Sequence, residues 1–172
     1  MINKNAKGKR SENKSKALFE ANGFVDHSTV RSSYQGTNDI FGLFDHVLMT
    51  LYPMRIVLEE TFMDLAGTGL EGIIFIQTRS NKFRSIEELK QFFTKFHRSV
   101  TTYELVWKDR EDKPYMRAYT WDPTDRTVTM QNVIQIFTPF EDGKYIMPFN
   151  LQRINGATNY QLIEEVPNEL SN

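Results

Sequence analysis

"GIIFIQTRSN", residues 72–81, decides how the rest of this sequence is interpreted. Four apolar residues, Ile73 to Ile76, follow a glycine and lead directly into Gln77, Thr78 and Arg79. A short apolar run with these borders predicts a buried β-strand. The polar end of the strand has two interpretations. Either the sheet simply reaches water there, or the amide, hydroxyl and guanidinium groups form the rim of an active site.

The flanking segments predict an α/β domain in which helices flank a mixed sheet. A first helix is predicted over residues 11–22, with Ser11 as its cap. The clearest helix covers residues 84–99, where Ser85 and Glu88 have the spacing of a capping box. Its apolar side chains recur at three- and four-residue spacing, which predicts packing in the core rather than a base-stacking surface. These side chains are Ile86, Leu89, Phe92, Phe93 and Phe96.

Alternating and β-branched segments predict the strands of the sheet. Two of them precede the opening stretch, and four more form two C-terminal hairpins, the second around Asp142-Gly143. Residues 54–71 give no clear prediction. The predicted strands are 24–33 and 46–52, with hairpins pairing 103–109 with 114–121 and 133–140 with 144–150.

Composition favours one cytoplasmic domain. The 172 residues have the length of a single domain, and a hydrophobic content of 40% is enough to fill a core. The sequence has no run of eighteen apolar residues and no apolar stretch behind its first basic residues, so we predict neither a membrane span nor a secretory signal. Cysteine is absent, and no two of the three histidines have metal-ligand spacing, which argues against a zinc site.

Charge is unevenly distributed although the net charge is only −1. The C-terminal end carries an excess of acids, whereas the first sixteen residues carry six basic side chains against the single acid Glu12. Residues 1–10 are therefore predicted to form a basic arm that contacts phosphates. A solvated tail is the alternative. The six basic residues are Lys4, Lys7, Lys9, Arg10, Lys14 and Lys16.

Polar side chains stand at corresponding places on the first helix and on three strands. If the strands of residues 46–52 and 72–79 are neighbours, Asp45 at the start of one faces Gln77 at the end of the other. Arg79 lies two residues further on and so shares the face of Gln77. Oxygen ligands beside a cation suit Mg²⁺-assisted chemistry on a phosphate.

The segments "GKRSENKSKALFEANGFVDHSTVRSS", "FGLFDHVLM" and "IIFIQTRSN" together resemble the PD-(D/E)XK nuclease superfamily, in particular small Holliday junction resolvase-like endonucleases. The resemblance covers roughly residues 8 to 85. It implies a restriction-endonuclease-like fold and a Mg²⁺-dependent DNA endonuclease, with Mn²⁺ as a substitute metal. Such relatives act as homodimers, so the resemblance also implies a homodimer on DNA.

The resemblance implies a role for each matching position. Asp45 matches the metal-binding aspartate and Gln77 the second ligand, with help from the backbone carbonyl of Thr78. Glu12 matches the helix glutamate that reaches the metal, and Arg79 takes the place of the usual lysine. Further positions match DNA-contacting groups: Arg31 and Ser32 after the first strand, and Lys7, Lys9 and Arg10 in the basic N-terminus.

Three departures from the family pattern bear on activity. Arginine at position 79 is too basic to release a proton, so it cannot act as a base. The ligand at position 77 is neutral, and residues 53–71 form an insertion where a short turn is usual. Asp39 is a rival for the metal aspartate, but strand-like residues directly follow Asp45 and favour it. Each position also has a plain structural interpretation, such as a helix first-turn acid for Glu12.

Two rival functions therefore stay open beside a nuclease selective for branched DNA. One is a catalytically inactive DNA-binding or assembly protein on the same fold, and the other is a purely structural interaction domain. Cleavage of DNA separates the first interpretation from both rivals. The predicted organisation is a basic arm at 1–10, a nuclease-like domain at 11–165 and a flexible tail at 166–172.

Overall fold

The computed structural model describes most of the chain in separate stretches. These are residues 4–22, 24–28, 40–41, 43–50, 54–59, 62–65, 73–139, 145–152, 154 and 159–162. They contain two helices, α1 (Lys4–Ala21) and α2 (Glu87–Phe93), and ten strands. The strands are β1 (Phe24–Ser28), β2 (His46–Thr50), β3 (Met54–Leu58), β4 (Phe62–Leu65), β5 (Ile73–Ser80), β6 (Val100–Trp107), β7 (Tyr115–Asp122), β8 (Thr127–Pro139), β9 (Tyr145–Asn150) and β10 (Asn159–Leu162).

The strands form one mixed sheet in the order β1-β2-β5-β6-β7-β8-β3-β4. β5 and β6 are parallel, and the other pairs of described strands are antiparallel. The long strand β8 also pairs with β9 and β10. The predicted α/β class and mixed sheet are confirmed, as are the hairpins β6–β7 and β8–β9. Asp142 and Gly143, the predicted turn of the second hairpin, lie outside the described residues.

The opening stretch forms β5, a central strand between β2 and β6. Its isoleucines Ile74 and Ile76 are buried in the core, where they join Phe19 of α1. Packing this face against α1 removes several apolar side chains from water, each worth roughly 1.5–3 kcal/mol. The strand prediction is therefore confirmed, and Gln77 and Thr78 are buried as well.

Helix α1 begins at Lys4, seven residues before the predicted start. Ser11 is not its cap but a buried residue in its interior, and Ser11, Ser15 and Phe19 recur every four residues on the face that meets the sheet. No proline interrupts the preceding segment, so nothing in that segment prevents the helix from continuing. The residues from Lys4 to Arg10 of the basic arm are therefore helical.

Helix α2 is shorter than predicted but buries the expected face. Leu89, Phe92 and Phe93 are buried in a second apolar cluster with residues of β7 and β8, which confirms the core interpretation. The capping box is wrong, because α2 has no side-chain cap hydrogen bond. The carboxylate of Glu88 instead pairs with Arg79.

The segment that gave no clear prediction contains the antiparallel pair β3 and β4. Met54, Ile56 and Leu58 alternate toward the core, and β3 pairs with β8. The described part of residues 53–71, the predicted insertion, thus continues the sheet rather than forming a loop over it. Its partner strand β8 lies far along the chain, so local patterning could not show the pairing.

A cleft at the end of the central strand

A cleft of about 380 Å³ opens where α1, the end of β5 and the start of α2 meet. It brings together three of the predicted catalytic residues, Glu12, Gln77 and Arg79. Glu12 comes from α1, far along the chain from the two strand residues. The lining residues are Gly8, Glu12, Leu43, Gln77, Thr78, Arg79, Ser80, Lys82, Arg84 and Glu88.

Asp45 lies directly behind the cleft and faces Gln77, as predicted. His46, which follows Asp45, is the register partner of Ile76, which precedes Gln77, across the pair β2–β5. The backbone N–H of Asp45 also donates to the carbonyl of Ile76 at 3.1 Å. The side-chain amide of Gln77 donates to Asp45 Oδ2, which also accepts the Thr78 backbone N–H at 2.9 Å. With an exposure of 2%, Asp45 is a fixed part of this strand junction.

Ser15 attaches α1 to this strand end and so positions Glu12 one turn away. The Ser15 hydroxyl is fully buried and donates to the Ser11 carbonyl at 3.0 Å. It accepts hydrogen bonds from the Thr78 hydroxyl at 2.9 Å and from Nε1 of Trp107 at 2.8 Å. A hydroxyl has one donor and two acceptor positions, so Ser15 is saturated.

Arg79 reaches two carboxylates from the end of β5. Its Nη1 lies 3.2 Å from Glu88 Oε2 and 3.8 Å from Glu104 Oε1. Glu104 is the register partner of Gln77 across the parallel pair β5–β6, which is why it lies under the cleft. Sequence analysis missed Glu104, although a single acid within the apolar strand "YELVW" is a signal that such a group needs a buried partner.

Arg84 is the second cation on Glu104. Its backbone N–H lies 3.1 Å from both carboxylate oxygens, and its guanidinium Nε lies 3.5 Å from Oε1. Nη2 donates to the carbonyl of Leu43 at 3.1 Å. Nε and Nη1 are buried without a hydrogen bond in the described part of the chain, so the ion pair with Glu104 offsets their burial.

Burial raises the pKa of the Glu104 carboxyl above its ordinary value. The hydrogen bond from Tyr119, the backbone N–H of Arg84 and the two guanidinium groups oppose that rise. The Tyr119 hydroxyl donates to Glu104 Oε2 at 2.8 Å, and burial together with this carboxylate raises the pKa of the phenol. Tyr119 is therefore a hydrogen-bond donor at neutral pH.

The remaining predicted DNA contacts are only partly described. Arg31 and Ser32 lie outside the described residues, as does the rival Asp39. Lys9 and Arg10 are exposed on the first turns of α1, near the Gly8 edge of the cleft. For Lys7 the structure describes the helical backbone and nothing of the side chain.

The oxygen atoms beside the cleft are of the chemical type that binds a hard cation such as Mg²⁺. Asp45 and Glu12 offer carboxylates, and Gln77 and Thr78 offer an amide oxygen and a carbonyl, which are the ligands Mg²⁺ prefers. The amide nitrogen of Gln77 faces Asp45, so the amide oxygen is the metal-binding atom left on that side chain. Within the described ranges no three Asp, Glu or His side chains form a metal-binding group. A metal here would thus depend on amide and backbone oxygens.

No family model, curated protein or solved structure matches this chain. In the part of the chain that the structure describes, no helix combines the length and apolar character needed to cross a bilayer.

Proposed function

We propose that this protein is a Mg²⁺-dependent DNA endonuclease of restriction-endonuclease-like fold that cuts phosphodiester bonds at the cleft, with selectivity for branched DNA. One observation carries the proposal. Asp45 at the start of β2 and Gln77 at the end of β5 are in direct contact, and Glu12 and Arg79 line the same cleft. The family resemblance implies catalytic roles for these four residues, and their proximity supports the proposal.

Each residue has a chemical task in this proposal. Asp45, Gln77, Glu12 and the Thr78 carbonyl would hold the metal, which would polarise the scissile phosphate. Arg79 carries a permanent charge at the cleft, so it would stabilise the negative charge that develops on the phosphate but could not remove a proton. The exposed cations at positions 9 and 10 of α1 would steer the polyanion towards the cleft.

A catalytically inactive DNA-binding protein on the same fold is the second candidate. Arg79 favours it, because this cation replaces a lysine and already has Glu88 and Glu104 as partners. A neutral amide at position 77 also leaves less negative charge for a metal. By analogy with the resolvase-like enzymes we propose a homodimer, and a cytoplasmic location stays a prediction.

The test is cleavage of labelled duplex, single-stranded and four-way-junction DNA with Mg²⁺, Mn²⁺ or EDTA. We expect metal-dependent cleavage that Asp45→Asn abolishes, since the substitution keeps the shape and an acceptor for the Thr78 N–H but removes the charge. Asp112→Asn, in the exposed β6–β7 turn, is the matched control and should cut like the wild type. Equal cleavage by Asp45→Asn would place the site elsewhere. Binding without cleavage under any metal would favour the inactive protein.

A further inference from the structure

The two carboxylates that contact Arg79 are held very differently. Glu104 is 1% exposed and is fixed by the Tyr119 hydroxyl and by the backbone and guanidinium of Arg84. If the Glu104 carboxylate moved away, the buried Arg84 N–H and Tyr119 hydroxyl would lose their hydrogen-bond acceptor. Glu88 stands on the first turn of α2 with a side chain 48% exposed, and the guanidinium groups of Arg79 and Arg84, at 3.2 and 3.9 Å, are its ion-pair partners among the described residues.

Glu88 can therefore leave at little cost. An ion pair exposed to this degree contributes little to stability, and water solvates the carboxylate once it turns outward. The departure changes the charge of the cleft wall. With both carboxylates ionised, Arg79, Arg84, Glu88 and Glu104 form a neutral group, and without Glu88 the group carries a net positive charge.

We propose that the Glu88 carboxylate is a displaceable substitute for a substrate phosphate on Arg79. In the free protein it occupies the guanidinium edge that faces the cleft, and a phosphodiester of the bound strand takes its place. This inference rests on the proposed function and makes its substrate class more specific. A polynucleotide that is also held by the exposed cations along α1 has additional contacts that offset the displacement of Glu88, so the substrate class is a polyanionic strand.

The experiment compares Glu88→Gln with Glu87→Gln, which removes the same charge from the neighbouring position. Glu87 does not line the cleft and pairs instead with Lys90 at 2.7 Å. Affinity for a labelled DNA junction is measured in EDTA, so that cleavage does not interfere. Glu88→Gln should bind about fivefold more tightly than wild type, the upper end of what breaking a partly exposed ion pair costs. Glu87→Gln should stay within about twofold of wild type, because it forms no ion pair with Arg79 and exposed charges contribute little.

A double-mutant cycle with Arg79→Ala shows whether Glu88 acts through Arg79. In the Arg79→Ala background, Glu88→Gln should no longer tighten binding by more than about twofold, a modest charge effect. Glu88→Ala serves as a second variant, and circular dichroism confirms that each variant is folded.

Each contrary outcome overturns a distinct claim. If Glu88→Gln and Glu87→Gln change affinity equally, or if the gain persists without Arg79, the substitute-phosphate role is wrong while the nuclease proposal stands. If folded wild type and all variants fail to bind any DNA, the proposed function itself is wrong and this inference falls with it.

Discussion

Ser15→Ala should destabilise the protein by about 2.5 kcal/mol, because one hydroxyl joins α1 to two strands. The substitution leaves the Trp107 N–H without its acceptor in a buried position. An unsatisfied buried donor costs about 1–3 kcal/mol. The Thr78 hydroxyl also loses its acceptor but can rotate, so this change adds about 1 kcal/mol. Alanine returns about 0.5 kcal/mol through its higher helix propensity.

The assay is urea unfolding followed by tryptophan fluorescence and circular dichroism. Ser85→Ala is the matched control, because Ser85 is exposed ahead of α2, and it should change the free energy of unfolding by less than about 0.5 kcal/mol. A cycle with Trp107→Phe isolates the hydrogen bond, since phenylalanine keeps an aromatic ring and removes the N–H. The double variant should recover about 1 kcal/mol relative to additivity.

Two results would refute the reasoning about Ser15. A change within about 0.5 kcal/mol for Ser15→Ala would mean that neither donor depends on this hydroxyl. Strict additivity with Trp107→Phe would mean that the 2.8 Å contact contributes nothing measurable. The first result would mean that Phe19 and its apolar neighbours hold α1 without a measurable contribution from this hydroxyl.

Three further predictions concern the cleft. In single-turnover cleavage, Arg79→Lys should keep or raise the rate, whereas Arg79→Ala should lower the rate roughly tenfold to a thousandfold and lower the DNA affinity far less. If Arg79→Ala and the wild type cut at the same rate, Arg79 is only a surface residue at the end of a strand. Burial raises the pKa of Glu104, so the contribution of this carboxyl to the free energy of unfolding is full below pH 4.5, its ordinary pKa, and disappears as the pH rises through the raised pKa. Urea unfolding from pH 4 to 8 should therefore show that the wild type loses stability relative to Glu104→Gln as the pH rises, and a difference that does not change with pH would contradict this. Neutralising Lys9 and Arg10 together to glutamine should make the slope of log affinity against log salt shallower by about 0.9 for each phosphate that the protein no longer neutralises, whereas Lys113→Gln in the β6–β7 turn should leave the slope unchanged.

The structure changes how the basic N-terminus should be tested. Deleting residues 1–10 would remove the first turns of α1, because the helix begins at Lys4. Such a deletion would remove positive charge and helical backbone together, so its effect on DNA binding could not be assigned to either. Point substitutions at exposed positions remove the charge and leave the backbone in place.

Local pattern predicted where the strands that meet at Asp45 and Gln77 begin and end, and the junction followed once the two strands were taken as neighbours. An apolar run with a polar end defines a strand and its boundary, and antiparallel neighbours bring the start of one strand beside the end of the next. The helix face of Leu89, Phe92 and Phe93 was predictable for a similar reason, since burial on a helix follows its 3.6-residue period. The strand ends and the helix face depend on residues close together in the chain, and the junction depends in addition on the register of a single strand pair.

The charges around Arg79 were decided by the tertiary structure alone. Glu104 reaches the cleft only because β6 lies parallel to β5, and the sequence carries no local sign of which strands pair. Ser15 meets Trp107 across 92 residues, and Glu88 has a capping-box spacing but pairs instead with Arg79. A side chain's partner is set by competition among all groups that the fold brings within reach, whereas periodicity reports only which way the side chain points.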